Sequence, residues 1–154
     1  MNIGMYGWNY DFPYICFMEK EWIEVEAMIE APINEVWTKW TKSEHVVQWN
    51  FAHESWCCPS AKIDLREEGS FTMRMEAVDG SAGFDFSGVY DAIEEQEFLS
   101  ITLEDGRRWE VEFADLGQST HVTERFQAES ENTVELQQQG WQSILNQFKT
   151  YCEA

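Results

Sequence analysis

The carboxy-terminal stretch Asn132 to Ala154, NTVELQQQGWQSILNQFKTYCEA, carries the strongest structural signal of the chain. Its apolar residues Val134, Trp141, Ile144, Leu145, Phe148 and Tyr151 recur at the three-and-four spacing of an amphipathic helix, and polar side chains fill the other face. A lone helix cannot bury such a stripe, so a second layer must cover it. Gly140 stands inside the stripe, directly before Trp141, although glycine in a helix interior costs about 1 kcal/mol against alanine. Close packing against the second layer explains the glycine, or open space beside it.

Working back from the helix, the second layer is a sheet. Residues 21–30, EWIEVEAMIE, alternate strictly, with Ile23, Val25, Ala27 and Ile29 on one face and mostly acids on the other, as in a half-solvated strand. Pro32 stops that strand and opens a short helix bearing Val36, Trp37 and Trp40 on one side. Ser43 is placed to cap a second short helix, EHVVQWNF. From residue 61 onward the chain reads as strand after strand. AKIDLRE presents Ala61, Ile63 and Leu65, and GSFTMRMEAVDG presents Phe71, Met73 and Met75. The following strands present Phe84, Phe86 and Tyr90, then Leu99, Ile101 and Leu103, then Trp109, Val111 and Phe113, and last Val122 and Phe126. Asp79-Gly80 and Asp105-Gly106 are hairpin signals. The order strand, two short helices, six strands, long helix requires a curved antiparallel sheet wrapped around the last helix, an α+β helix-grip arrangement. Gly88, between Phe86 and Tyr90, is then expected to face Gly140 across the two layers, marking contact or a cavity.

A chain of 154 residues is long enough for one domain with a real core. Its 29 acidic against 10 basic side chains give a net charge of -19, which repels a phosphate backbone and an anionic membrane surface alike. Nucleic acid is therefore not an expected partner. No apolar run approaches the roughly 20 residues of a membrane span. The amino end lacks the basic region of a secretory signal, and the four cysteines, Cys16, Cys57, Cys58 and Cys152, fit reduced thiols. The expected location is cytoplasmic, and the expected state a monomer or weak homodimer.

The successive motifs IEAPINEVWTKWTKSEHVVQWN, LREEGSFTMRM, GFDFSGVYDAIEEQEFLSITLEDGR, VTERFQAE and QGWQSILNQFKTY resemble those of the activator of heat-shock-protein-90 ATPase homologue family, within the START-like (SRPBCC) superfamily. The resemblance spans about residues 21–152. It implies a START-like domain over residues 18–154 and leaves residues 1–17 as an N-terminal extension, unless Met18 is the true start in place of Met1. It also implies a deep apolar cavity between sheet and helix, where relatives hold lipids, sterols, polyketides or plant-type aromatics and where some act as aromatase/cyclases. The eukaryotic namesake stimulates a chaperone ATPase through surface contacts.

With that resemblance in view, Phe71, Met73, Met75, Phe84, Phe86, Trp109, Phe113 and Trp141 are expected to line an adaptable pocket for a small apolar ligand, methionine being a flexible gap-filler. Trp37, Val111, Val122, Leu145 and Phe148 are expected to complete it. The plain alternative is ordinary core. Strand parity sets Glu124 between Val122 and Phe126 on the apolar face, and Arg74, His121 and Arg125 on the other. An inward carboxylate would have a raised pKa and would orient a ligand hydroxyl or act as an acid-base group, as in a cyclase or dehydratase. A local bulge turning Glu124 outward, or neutralisation by Arg74 or Arg125, is the alternative. Adjacent Cys57 and Cys58 with His45 and His53 lack metal-ligand spacing, and no nucleophile or phosphate-loop motif occurs. No metal and no cofactor are expected, and a chaperone contact through the acidic surface is the other functional reading.

Overall fold

The computed structural model describes residues 21–154. The expectations for residues 1–17, Cys16 and the choice between Met1 and Met18 lie outside the described residues.

Strand β1 (Trp22–Ile29) buries Ile23, Val25 and Ile29, as its alternation requires. Two short helices follow, α1 (Ile33–Thr41) and α2 (Ser43–Trp49). Pro32 sits one position earlier than expected, as the N-cap of α1, its carbonyl accepting from the Glu35 and Val36 amides. Ser43 does not cap α2. It is the first helical residue and Lys42 takes the cap position, with no side-chain hydrogen bond. Six strands then run β2 (Trp56–Ile63), β3 (Ser70–Ala77), β4 (Gly83–Glu94), β5 (Phe98–Leu103), β6 (Arg108–Asp115) and β7 (Thr120–Gln127), followed by helix α3 (Val134–Glu153). Thr133 caps α3, its hydroxyl accepting from the Leu136 amide at 3.1 Å.

The seven strands of the described residues form one antiparallel sheet in the order β1-β7-β6-β5-β4-β3-β2, curled into a half-barrel. The meander from β2 to β7 is closed by β1, which pairs with β7 from Trp22 opposite Gln127 to Ile29 opposite Thr120. Gly80 and Gly106, at φ +80° and +93°, make the hairpin turns expected of their Asp-Gly pairs. The strand expected at residues 61–67 lies earlier in the chain. It begins at Trp56, passes Pro59 through a bulge between Cys57 and Ser60, and ends at Ile63, so that Leu65 falls in the following turn and is exposed. Proline is accommodated because β2 is an edge strand among the described residues, so the N–H that Pro59 lacks is not required by a neighbouring strand on that side.

The core fills the concave face of the sheet, with Leu145, Phe148 and Cys152 of α3 buried against it. The Phe148 ring meets Trp40 and Trp49 edge-on at 4.9 and 4.7 Å, which seats the two short helices beneath the carboxy-terminal half of α3. Along its other side α3 is tied to the outer edge of β1. Gln138 Nε2 donates to the Glu24 carbonyl at 3.1 Å, Gln142 Nε2 to that of Glu26 at 3.0 Å, and Lys149 Nζ to that of Met28. The Glu30 amide donates to the Glu153 carboxylate at 2.8 Å. Backbone groups of an edge strand that would otherwise stay open are thereby paired.

Candidate functional site: a cavity between sheet and helix

Helix α3 packs along β1, and its amino-terminal half stands away from strands β3, β4 and β6. A cavity of about 370 Å³ remains between them. Cross-strand register supplies one wall, with Met73 opposite Phe86 and Met75 opposite Phe84. Trp109 from β6 and Trp141 from α3 form an adjoining wall, their rings edge-to-face at 5.4 Å and 82°. Trp141 is held in place by stacking on Phe126, with centroids 3.8 Å apart and planes 12° from parallel. Trp40, Trp49 and Asn50 close the end formed by the short helices, and the Asn50 side-chain amide donates to the sulfurs of Met73 and Met75 at 3.2 and 3.4 Å. Arg107, Glu129, Asn132 and Gln137 supply the polar part of the lining.

Glu124 is the acid of the site. On β7 it lies between Val25 of β1 and Val111 of β6, and it is only 4% exposed. Trp109 Nε1 donates to its Oε2 at 3.0 Å. Burial pushes its pKa up to about 8, and the indole hydrogen bond offsets part of that rise. Neither arginine neutralises it. Arg74 binds Glu76 and Asp85 at 2.9 and 3.3 Å, and Arg125 pairs with Glu110 at 3.5 Å. Parity therefore describes this strand correctly, and no bulge turns the carboxylate outward.

The two glycines differ. A Cβ built on Gly140 meets nothing within 4 Å, so this position opens onto the cavity. At Gly88 a Cβ would lie 2.9 Å from the Thr102 carbonyl oxygen and 3.0 Å from the Phe71 ring. Gly88 is thus a contact glycine beneath Phe71 and does not face Gly140 across the space.

Among the expected pocket residues, Met73, Met75, Phe84, Phe86, Trp109, Glu124 and Trp141 come together around the cavity. Trp37, Phe71, Val111, Phe113, Val122, Leu145 and Phe148 do not line it and are packed into the core. Trp37 turns its ring onto Phe113 at 5.3 Å, leaving Trp40, one turn further along α1, to reach the cavity. The sequence reading missed Trp40, Trp49, Asn50 and the polar lining. One signal was present for Gln137, a polar residue one turn before Trp141 on the apolar stripe. It is buried, and its side-chain amide donates to the Glu129 and Asn132 carbonyls while accepting from the Glu129 amide.

The thiols and histidines lie apart. His45 bonds Tyr151, His53 bonds Ser55, and Cys58 is buried on β2 with its pKa raised by burial. Among the described residues no cluster of three or more His, Cys, Asp or Glu side chains stands in position to hold a metal ion. A depression of about 470 Å³ bounded by Glu94, Glu97, Glu112 and His121 is more open to solvent and mainly polar. No described helix is long and apolar enough to cross a membrane.

The profile of the family described as Activator of Hsp90 ATPase homolog 1-like protein matches residues 30–153. The solution NMR structure of the AHSA1-like protein from Aeromonas hydrophila is 41% identical, with a TM-score of 0.80 over 85% of this chain and 91% of that one. A solution structure from Cytophaga hutchinsonii is 43% identical, with a TM-score of 0.74 over 84% and 90% of the two chains. A crystal structure from Chromobacterium violaceum, at 19% identity and a TM-score of 0.78 over 87% and 99%, shares the fold. No curated protein matches. With its profile match covering most of the sequence and its helix-grip architecture in place, this chain belongs to the Activator of Hsp90 ATPase homolog 1-like family, within the START-like superfamily.

Proposed function

We propose that the chain binds a small hydrophobic or aromatic molecule, lipid-, polyketide- or flavonoid-like, between the sheet and α3. The observation that carries this reading is the cavity of about 370 Å³, a mainly apolar and aromatic space with one buried carboxylate inside it. Its size falls in the usual range for small-molecule sites, roughly 300–1,000 Å³, and so does the pairing of an apolar lining with a few polar groups. The open position at Gly140 supports it too, because a side chain there would occupy the space.

Thermal melting and tryptophan fluorescence against a panel of flavonoids, polyketide-like aromatics and fatty acids test the reading. A ligand present at about a hundred times its Kd stabilises the native state by about 2.7 kcal/mol, and its contact with Trp109 and Trp141 quenches their emission. No shift across the panel in wild type, or the same shift in Gly140→Leu as in wild type, defeats the reading.

The buried carboxyl with a pKa of about 8 favours one further reading, acid-base catalysis on the bound molecule as in a cyclase or dehydratase. Turnover that survives Glu124→Gln rules it out. A chaperone contact, suggested by the family's description, is supported by the acidic exterior alone. It requires binding that weakens with salt and ignores cavity ligands.

A further inference from the structure

The inner end of the cavity is rich in acceptors and poor in donors. Trp109 donates one hydrogen bond to one oxygen of Glu124, and no other described residue donates to that carboxylate. The Asn50 amide nitrogen, another donor of the lining, is directed at the Met73 and Met75 sulfurs. What is left facing the space is aromatic rings, thioethers and an incompletely paired carboxylate, all electron-rich groups. The other charged residues of the lining, Arg107 and Glu129, are engaged elsewhere. Arg107 is bonded to Asp105 and to the Gln127 carbonyl, and Glu129 accepts from the Glu131 and Asn132 amides.

A carboxylate among aromatic rings is complementary to an organic cation. The acid supplies countercharge and hydrogen-bond acceptance, the ring faces attract positive charge, and the low dielectric strengthens both. We propose that the molecule held in this cavity carries an ammonium group on its apolar body, with the N–H donating to Glu124 and the charge lying among Trp109, Trp141 and Phe86. This deepens the ligand-binding reading and rests on it. A hydroxyl fills the free lone pair but leaves the ring faces without a charge to attract, and an anionic head group is repelled by the electron-rich ring faces and, once Glu124 ionises, by the carboxylate.

The proton balance is specific. Burial keeps the carboxyl of the empty cavity protonated up to about pH 8. An incoming ammonium therefore displaces one proton from Glu124 to solvent, whereas a neutral alcohol displaces none. Affinity for the cation accordingly rises with pH until the acid is ionised and then levels off.

Isothermal titration with phenylbutylamine and its neutral isostere phenylbutanol tests this, using buffers of different ionisation enthalpy. Wild type is expected to bind the amine about tenfold more tightly than the alcohol near pH 8, with release of about half a proton per amine there, close to one proton per amine near pH 7, and none per alcohol at either pH. The amine's advantage shrinks by up to about tenfold for each pH step of one below that. Glu124→Gln is expected to lose the preference and keep the alcohol. If that variant does not fold, judged by circular dichroism, the wild-type proton count decides alone. Alcohol binding as tight as the amine at every pH, or amine binding without proton release, overturns the cation assignment and leaves the ligand-binding reading standing. If neither compound binds wild type, the cation assignment is overturned, and the ligand-binding reading stands or falls with the panel above.

Discussion

Glu124 sits between two valines with an indole N–H as its one donor among the described residues, so its titration is written into the stability of the fold. In the unfolded chain a glutamate ionises at about 4.3, whereas here burial raises the value to about 8. Between those values the folded state holds the extra proton, so stability falls as pH rises through that window and is flat on either side of it. Glu124→Gln removes the titration. The melting temperature of wild type minus that of the variant is expected to decline from about pH 4 to about pH 8 by the equivalent of a few kcal/mol, and a flat difference would show the carboxyl is better solvated than its 4% exposure implies. The two glycines separate packing from space at the same scale. Gly140→Ala is expected to gain up to about 1 kcal/mol from helix propensity, since its Cβ meets nothing. Gly88→Ala is expected to lose about 1–3 kcal/mol, because Phe71 is buried and must move off its seat. Chemical denaturation of both variants checks the pair.

At the scale of elements, β1 illustrates how an edge is closed without another strand. Gln138, Gln142 and Lys149 lie along one side of α3, and each satisfies an alternate carbonyl of β1. Replacing Gln138 and Gln142 together by alanine is expected to cost about 1 kcal/mol for each lost bond and to expose a strand edge that pairs with another copy. Denaturation and a concentration-dependent sedimentation profile report the two effects. Such ties explain which elements were legible in the sequence. Alternation in β1 and β3 and the stripe on α3 were readable because one face meets core and the other water. Start and stop of β2 were not, because Pro59 reads as a breaker until the strand is known to lie at an edge. The cavity was half legible. Parity assigns Met73, Phe86, Trp109 and Glu124 to the right face, but every inward residue of a curved sheet shares that parity. Whether such a residue meets core, as Phe71 does, or space, as Phe86 does, depends on where α3 crosses, and Trp40 displaces Trp37 for the same reason.

For the whole molecule, a net charge of -19 on 154 residues leaves the folded chain under self-repulsion. The basic side chains are too few to balance it, and the ion pairs they make on the surface, such as Arg74 with Glu76 and Asp85, are partly exposed. Added salt screens the repulsion. The melting temperature is therefore expected to rise by several degrees between about 20 mM and about 500 mM sodium chloride, and a fall would mean that attractive pairs dominate.

The ties between α3 and β1 also set how the molecule moves. They run down one flank of the helix, while Gly140, Trp141 and Ile144 on the other flank stand over the cavity. Leu145 and Phe148 anchor the carboxy-terminal half of α3 in the core, so the amino-terminal half, tied chiefly along this line, is the part able to hinge. A small rotation of that half about the β1 edge is expected to unstack Trp141 from Phe126, move it away from Trp109 and widen the cavity, with the sheet hydrogen bonds kept. The glutamine ties then act as the spring of that hinge. Loosening them by the double alanine substitution is expected to quicken both uptake and release of a bound molecule in stopped-flow fluorescence while the equilibrium constant stays nearly unchanged, since the residues that touch it are untouched.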